Sequence, residues 1–229
     1  MKSIEEQTLK ENEKPPIKAV LFDFDGLLFN SEPVWGKAYD VFVRKHDVLD
    51  KPELAPKMLG RGLREIVGIM VDEMGMKGNI ADLVQEYRDT FYEIFLKEKD
   101  ILMPGAKDLV ERLKSRGLVI GLTTGGHRAF MIRKILENVG LLTYFDLIAS
   151  SDDVQNGKPA PDIYLSSVSK LNLKSGECLA LEDSANGVLA AKTAGVPVYG
   201  VNADGKMRRE LAKAGAEKVY SSLSELTIP

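Results

Sequence analysis

Short apolar segments alternate with amphipathic segments along most of the chain. The apolar segments cover residues 17–22, 118–122, 145–149, 178–181 and 196–201. Each has the length and composition of a buried strand, and helical patterns fall at about 106–116, 127–139, 161–171, 184–194 and 206–214. Because strands that alternate with helices are joined by crossover connections, this order predicts a doubly wound α/β fold with a parallel sheet.

Residues 32–101 depart from this alternation, because their apolar positions follow a helical spacing and none of them resembles a core strand. Two stripes carry the pattern, one formed by Trp35, Tyr39, Phe42 and His46 and the other by Leu83, Tyr87, Phe91, Ile94 and Phe95. We therefore expect a helical cap domain at 32–101, inserted into a core domain made of residues 17–31 and 102–229. Proline and glycine near positions 33 and 104–105 mark the expected joints.

Composition and charge exclude several classes of protein. The chain has 34 acidic and 31 basic residues and a net charge of −3, without the basic cluster that a nucleic-acid-binding protein would show. No apolar run approaches the roughly 20 residues that span a bilayer, and the lone Cys178 cannot form an intrachain disulfide. Residues 1–16 lack the apolar centre of a signal peptide, and we expect them to be a mobile tail. We expect a cytoplasmic monomer that binds neither nucleic acid nor membranes.

Side chains that can bind metal or phosphate stand near the points where the predicted strands end. They are Asp23, Asp25, Thr124, Gly125, Lys158, Glu182 and Asp183. In open parallel sheets, ligands bind beyond the carboxyl ends of the strands. We therefore expect these seven residues to converge on one edge of the sheet.

The chemistry of this set points to phosphoryl transfer. Several carboxylates at one edge repel one another and need a compensating cation, and Mg²⁺ prefers one or two carboxylates together with water and substrate phosphate. Lys158 and the Thr124–Gly125 turn could then bind phosphate oxygens. Asp23 could attack phosphorus to form an aspartyl-phosphate, and Asp25 could protonate the leaving oxygen and later activate water.

Each segment taken alone also has a plainer interpretation. Asp23-Phe24-Asp25-Gly26 is typical of a turn at the end of a strand, Gly157-Lys158-Pro159 of a solvated loop, and Glu182-Asp183-Ser184 of a helix N-cap. A calcium loop fits less well, because Leu27 stands where an EF-hand would carry its third acid. The order of the segments at successive strand ends is what favours phosphoryl transfer.

These motifs resemble those of the haloacid dehalogenase superfamily of phosphohydrolases, in the branch similar to beta-phosphoglucomutase and the sugar-phosphate phosphatases. The matching segments are 21–26, 122–126, 157–164 and 181–187, and the resemblance extends from residue 18 to about residue 226. It implies a Rossmann-like core with a cap that closes over the site. It also implies Asp23 as the nucleophile, Asp25 as the acid/base, Thr124 and Lys158 on the phosphate, and an Mg²⁺ ion. The ion would be held by Asp23, Glu182, Asp183 and the backbone carbonyl of Asp25.

The chain departs from the family pattern at two positions. Asn30 stands where members of the family usually carry an aspartate that supports the cap joint, and Trp35 stands where beta-phosphoglucomutase has a sugar-handling histidine. The second difference favours a phosphatase over a mutase. In the cap, Trp35, Arg61 and Arg64 are the candidates for substrate specificity, with Lys57 nearby.

The sequence therefore predicts an Mg²⁺-dependent phosphatase that acts on a small phosphorylated metabolite, a sugar phosphate or a nucleoside phosphate. A mutase of the beta-phosphoglucomutase type is the alternative, because it would use the same core residues. A non-catalytic binding module is opposed by the intact set of acids and lysine. His127, which follows the glycine pair, is expected near the phosphate and the start of a helix.

Overall fold

The computed structural model describes residues 15–58 and 61–228, so most of the predicted tail at 1–16 lies outside the described residues. Its strands are β1 Ala19–Asp23, β2 Val119–Thr123, β3 Leu147–Ala149, β4 Cys178–Glu182, β5 Val198–Val201 and β6 Lys218–Tyr220. They form one parallel sheet in the order β3-β2-β1-β4-β5-β6. The predicted doubly wound α/β fold is confirmed, and β6 adds an edge strand that the apolar pattern did not indicate.

Helices surround this sheet and fill the segment between β1 and β2. They are α1 Glu32–Lys45, α2 Ala55–Met58, α3 Leu63–Met74, α4 Ile80–Phe95, α5 Ala106–Ser115, α6 Ala129–Asn138, α7 Asp162–Leu171, α8 Ala185–Thr193 and α9 Gly205–Ala214. Helix α6 begins two residues later than the pattern suggested, because Arg128 is its N-cap and His127 lies in the preceding turn. None of the helices within 15–58 and 61–228 is long and apolar enough to cross a membrane.

The central strand β1 is buried along its whole length, which accounts for its unbroken apolar sequence. Val20 and Phe22 on one face belong to the larger hydrophobic cluster, which continues into the cap helices. Ala19 and Leu21 on the other face belong to a second cluster, formed with α7, α8 and α9. Burial on both faces fixes the position of Asp23 at the end of the strand.

The order of the strands creates a crevice beside β1. The chain proceeds from β1 to β2 and β3 on one side of the sheet and to β4, β5 and β6 on the other. Asp23 is paired in register with Thr123, and Phe22 is paired with Leu181, one residue before Glu182. In open α/β sheets, ligands bind at the point where the strand order reverses, as it does here beside β1.

The two connections between core and cap run side by side. Asn30 donates its backbone N–H to the carbonyl of Ile101 at 2.8 Å, and Met103 donates to the carbonyl of Leu28 at 3.0 Å. The Asn30 side chain is exposed. Both crossings lie close to the predicted joints, although the division into domains at 31/32 and 101/102 stays a prediction.

Aromatic side chains form the interior of the cap. Trp35 stacks on Phe91 with 3.8 Å between ring centroids, and Phe42 stacks on Tyr87 at 5.0 Å. These contacts join α1 to α4 and show that the two predicted stripes face each other. His46, at the end of the first stripe, packs on Phe42 and contacts a carboxylate oxygen of Glu86, as expected for a packing residue.

Candidate active site

Asp23 ends the central strand, and its carboxylate lies against the ammonium group of Lys158. Lys158 Nζ donates to Asp23 Oδ1 at 2.5 Å and to Glu182 Oε1 at 2.6 Å. Only 11% of the Lys158 and Asp23 side chains and none of the Glu182 side chain is exposed. Burial alone would disfavour the ammonium, but the two carboxylates raise the pKa of Lys158 well above its ordinary value. A positive charge therefore lies between Asp23 and Glu182.

Glu182 is enclosed by groups that donate hydrogen bonds to it. The Tyr164 hydroxyl donates to the same Oε1 atom that Lys158 contacts, and the Ser184 hydroxyl lies 3.5 Å from Oε2. A Cβ atom at Gly187 would come within 1.9 Å of Oε2, so the first turn of α8 can pack here only because position 187 is glycine. Ser184 also accepts the N–H of Gly187, and this N-cap confirms the plainer interpretation of that residue.

Asp183 is the acid that Lys158 does not neutralise. Its burial and the neighbouring charges of Glu182 and Asp25 raise the pKa of Asp183 to about 7. Gly26, at φ +72°, brings the loop after β1 against this carboxylate, since a Cβ atom there would lie 2.0 Å from Asp183 Oδ2. The Asp183 carboxylate and the backbone of the Asp25–Gly26 turn are therefore in direct proximity.

The residues predicted to bind phosphate lie on two loops that approach each other. Thr124 is buried and donates its backbone N–H to Ala149 at 3.0 Å, while its hydroxyl oxygen accepts the N–H of Gly126 at 3.3 Å. A Cβ atom at Gly125 would lie 4.0 Å from the backbone nitrogen of Lys158. The turn after β2 thus stands beside the lysine loop, and Gly125 in this turn is exposed.

Asp25 lies beside two side chains from different parts of the chain. His127 Nε2 lies 2.9 Å from Asp25 Oδ2 and 3.2 Å from Oδ1, and the Ser31 side chain is near enough to help lower the pKa of this carboxyl group. Burial alone would raise the pKa of Asp25, but His127 and Ser31 hold it below its ordinary value. The side chain remains 39% exposed, and a Cβ atom at Gly126 would lie 3.8 Å from Asp25 Oδ2, so this carboxyl group is accessible beside the turn after β2.

His127 connects Asp25 to the cap. Its Nδ1 atom lies 3.0 Å from the hydroxyl of Tyr92 on α4, and its ring is 1% exposed. Burial raises the pKa of Tyr92 to about 12. The hydroxyl therefore keeps its hydrogen at neutral pH.

Among the predicted specificity residues, the structure brings Trp35 towards the site. Its ring is stacked with that of His127, with 6.2 Å between centroids. Arg61 is exposed and pairs with Glu65 at 3.1 Å, and Arg64 is exposed on the first turn of α3. Lys57 pairs with Glu73 at 2.7 Å. Among the described residues, none of these three cations contacts a residue of the predicted phosphate or metal site.

Sequence reasoning gave no role to Tyr164, Tyr92 or Arg88, and it did not predict the contact between His127 and Asp25. Tyr164 lies inside the motif around Lys158, and the expected position of His127 near the phosphate stays a prediction. Tyr92 and Arg88 had been assigned only to cap helix. Arg88 lies one turn before Tyr92, and its Nε atom is buried without a hydrogen-bond partner among the described residues. A buried polar atom that lacks a partner could have been found only in three dimensions.

The acidic cluster suits a hard divalent cation. Ligand oxygens of Asp23, Glu182 and Asp183 lie within 4.8 Å of one another. Lys158 supplies a single positive charge to these three acids, and burial together with the carboxylates of Glu182 and Asp25 raises the pKa of Asp183. Carboxylate oxygens with this excess charge are the donors that Mg²⁺ prefers.

Similarity to known proteins agrees with this chemistry. Residues 17–195 match the haloacid dehalogenase-like hydrolases. A phosphorylated carbohydrates phosphatase from Thermotoga maritima is 31% identical over 220 residues, which are 92% of this chain and 100% of that protein. Hexitol phosphatase B from Escherichia coli (strain K12) is 32% identical over 212 residues, covering 92% and 95% of the two chains.

The fold also matches that of solved structures. CbbY from Rhodobacter sphaeroides, in complex with phosphate, has a TM-score of 0.76 and is 29% identical, covering 92% of this chain and 96% of its own. This likeness confirms the predicted Rossmann-like core with its helical insertion as a whole-chain arrangement.

Proposed function

Because this chain belongs to the haloacid dehalogenase-like hydrolases and is a phosphatase, we propose that it hydrolyses a small phosphorylated carbohydrate through an aspartyl-phosphate on Asp23. The observation that carries the proposal is the placement of Lys158 between Asp23 and Glu182, with Asp25 facing the same crevice. The carbohydrate substrate is inferred from the two phosphatases that are about one-third identical to this chain.

In the first half of the reaction, a carboxylate oxygen of Asp23 attacks phosphorus and the bond from phosphorus to the sugar oxygen breaks. Lys158 contacts Oδ1 of Asp23, so Oδ2 is the oxygen that is left to attack. Asp25 in its acid form donates a proton to the departing sugar oxygen, which leaves as an alcohol. Lys158, the Thr124 hydroxyl and the Gly125 N–H stabilise the charge that develops on the phosphoryl oxygens.

In the second half, Asp25 is a carboxylate and accepts a proton from water. The hydroxide so formed bonds to phosphorus, and the bond from phosphorus to Asp23 breaks. The products are inorganic phosphate and the regenerated Asp23 carboxylate, and Asp25 releases its proton to solvent or donates it in the next turnover. A nucleophile that splits one displacement into two in this way is the usual form of covalent catalysis.

Asp23, Glu182, Asp183 and the backbone carbonyl of Asp25 would hold the Mg²⁺ ion. When bound, such an ion neutralises charge on the phosphate and on the surrounding carboxylates. Glu182 is already occupied by Lys158 and Tyr164, and this division of contacts makes Asp183 the acid that depends most on the cation. The proposal for Asp183 rests on its lack of an ion pair with Lys158.

For substrate specificity we retain Trp35, Arg61 and Arg64 and add Arg88. Trp35 presents an aromatic ring next to His127, which suits packing against a sugar ring and offers one polar group fewer than a histidine would. Arg88 carries an unpartnered Nε atom beside the Tyr92 turn, and its guanidinium can bind substrate hydroxyl or phosphate oxygens. The cytoplasmic location and the monomeric state stay predictions.

A panel of phosphomonoesters tests this function. Wild-type protein and Asp23→Asn would be assayed with Mg²⁺ for free phosphate, using hexose and hexitol phosphates, nucleoside phosphates and beta-glucose 1-phosphate. We expect free phosphate from the carbohydrate esters with the wild type alone. Beta-glucose 1-phosphate would also be assayed for glucose 6-phosphate with a trace of glucose 1,6-bisphosphate. If glucose 6-phosphate forms much faster than phosphate is released, the enzyme is a mutase.

A further inference from the structure

We propose that His127 is a positioning residue that orients the carboxyl group of Asp25, and that Tyr92 of the cap holds the His127 ring in place. This inference rests on the proposed phosphatase function and deepens it. It assigns a role to two residues that take part neither in the nucleophilic step nor in binding the cation.

The first step of the argument is the direction of the hydrogen bonds. A carboxylate can only accept, so His127 Nε2 carries the hydrogen that bonds Asp25. On the other side of the ring, His127 Nδ1 lies 3.0 Å from the hydroxyl of Tyr92. A continuous hydrogen-bonded chain therefore runs from Tyr92 of the cap through His127 to Asp25.

The second step is the confinement of the His127 ring. It packs on Phe24 from the core with 4.7 Å between centroids, and on Phe91 and Tyr92 from α4 at 5.4 and 5.6 Å. With 1% of its surface exposed, the ring cannot rotate without displacing these neighbours. A ring fixed in this way can fix the rotamer of the carboxyl group that it bonds.

The third step is the need for such a partner. Asp25 follows β1 in a turn and keeps 39% of its side chain exposed, so packing alone does not determine where its carboxyl group points. A general acid must lie within hydrogen-bond reach of the oxygen that it protonates. Among the described residues, the side chain within hydrogen-bond distance of this carboxylate is that of His127, and His127 is itself held by Tyr92 of the cap.

The experiment compares substrates that need the acid with a substrate that does not. The value of kcat/KM reports steps only as far as the first irreversible one, which here is the departure of the alcohol. A sugar phosphate needs a proton on its leaving oxygen, whereas the nitrophenolate of p-nitrophenyl phosphate departs without one. A defect in the position of Asp25 will therefore lower kcat/KM for the sugar phosphate and spare the aryl phosphate.

Two substitutions at position 127 form a matched pair. Gln can place an N–H near the position of Nε2, whereas the shorter Asn cannot reach Asp25. General acid catalysis contributes about 10²–10⁴-fold, so we expect His127→Asn to lower kcat/KM for the sugar phosphate by about 10–100-fold and for the aryl phosphate by less than about 3-fold. His127→Gln should restore most of the loss. Tyr92→Phe should produce the same selective loss at about 3–10-fold, since one orienting contact is removed.

Controls separate positioning from a general loss of structure. Asp25→Asn gives the pattern expected when the acid itself is absent, and His46→Asn changes the other histidine of the chain, which contacts Glu86 in the cap. Thermal unfolding of each variant checks the fold. If His127→Asn lowers kcat/KM equally for both substrates, or lowers neither, the inference is wrong while the phosphatase function stands. If the wild type releases phosphate from neither substrate, the proposed function fails and the inference falls with it.

Discussion

The charge left on Asp183 leads to a prediction about the pH dependence of stability in metal-free protein. In the folded chain the pKa of Asp183 is raised to about 7 by burial and by the carboxylates of Glu182 and Asp25, whereas in an unfolded chain an aspartate titrates near 3.9. Between these two values the folded state binds about one proton more than the unfolded state. Stability therefore falls as the pH rises through this window.

The size of the effect follows from linkage. One proton of difference changes the free energy of unfolding by about 1.4 kcal/mol per pH unit, so this one group removes about 2–3 kcal/mol between pH 5 and pH 7. For a domain of 150–250 residues, 1 kcal/mol corresponds to about 2–4 °C in Tm. We expect the Tm of the metal-free wild type to fall by about 5–10 °C over that range on account of Asp183 alone.

The assay is thermal unfolding in EDTA from pH 5 to pH 7.5, for the wild type, Asp183→Asn and Asp72→Asn. The amide at position 183 cannot ionise, so that variant should lose the part of the fall in Tm that Asp183 causes, whereas the part due to Asp23, whose pKa burial also raises well above its usual value, should remain. Asp72 is an exposed carboxylate on α3, and its variant should keep the slope of the wild type. Added Mg²⁺ should stabilise the wild type by about 2.7 kcal/mol at 100 times its Kd, and more at pH 7.5 than at pH 5.

Equal slopes for the wild type and Asp183→Asn would refute the reasoning, because the excess negative charge would then not reside on Asp183. A Tm that rises with pH in the metal-free wild type would contradict the sign. Such a rise would mean that acids with lowered pKa values, such as Asp146 and Asp153, control stability even above pH 5.

Three further predictions concern activity. Asp23→Asn should leave less than about 1% of the wild-type rate of phosphate release, a loss of at least about 2.7 kcal/mol in transition-state stabilisation, and a higher residual rate would rule out covalent catalysis by Asp23. Chelation with EDTA should abolish phosphate release and Mg²⁺ should restore it, whereas full turnover in metal-stripped protein would contradict the metal assignment. Arg88→Gln should raise KM for sugar phosphates about 10-fold, or about 1.4 kcal/mol, and an unchanged KM would remove Arg88 from the substrate site.

Much of the core could be predicted because its signals are local. An apolar run that ends in an acid predicts both a buried strand and the position of its last residue, as at Asp23 and Glu182. Strand β6 left no such signal, since its three residues, 218–220, lie at the edge of the sheet and none of them is fully buried. Helix α6 begins two residues later than predicted, because His127 lies in the turn before it. The contact of His127 with Tyr92 of the cap could not be predicted from the apolar pattern.

The relations between core and cap could not be predicted, because they depend on contacts between distant parts of the chain. Asp25 and His127 are 102 positions apart, and His127 and Tyr92 are 35 apart. Tyr92 lies on α4 among the residues of the second predicted stripe, two positions before Ile94. An aromatic residue there is accounted for by helix packing, so the sequence contains no reason to assign it another role. The motif around Lys158 predicted a site role for the lysine but none for Tyr164. The role of the Tyr164 hydroxyl follows only from its hydrogen bond to Glu182 in the structure.

The contacts of Asp23 and Asp25 divide the candidate site into a part that the core completes and a part that the cap completes. Asp23, Lys158 and Glu182 lie on core elements, and Lys158 bonds both carboxylates, so movement of the cap would leave the proposed nucleophile Asp23 and the Lys158 ammonium in place. Asp25 is different, because Ser31 lies at the joint and His127 is held by Tyr92 of α4. Movement of the cap away from the core would break the bond from Tyr92 to His127 and release the ring that orients Asp25. Proton transfer to a sugar oxygen would then be favoured only while the cap is closed over the substrate, whereas the affinity of the core for phosphate would not depend on the cap.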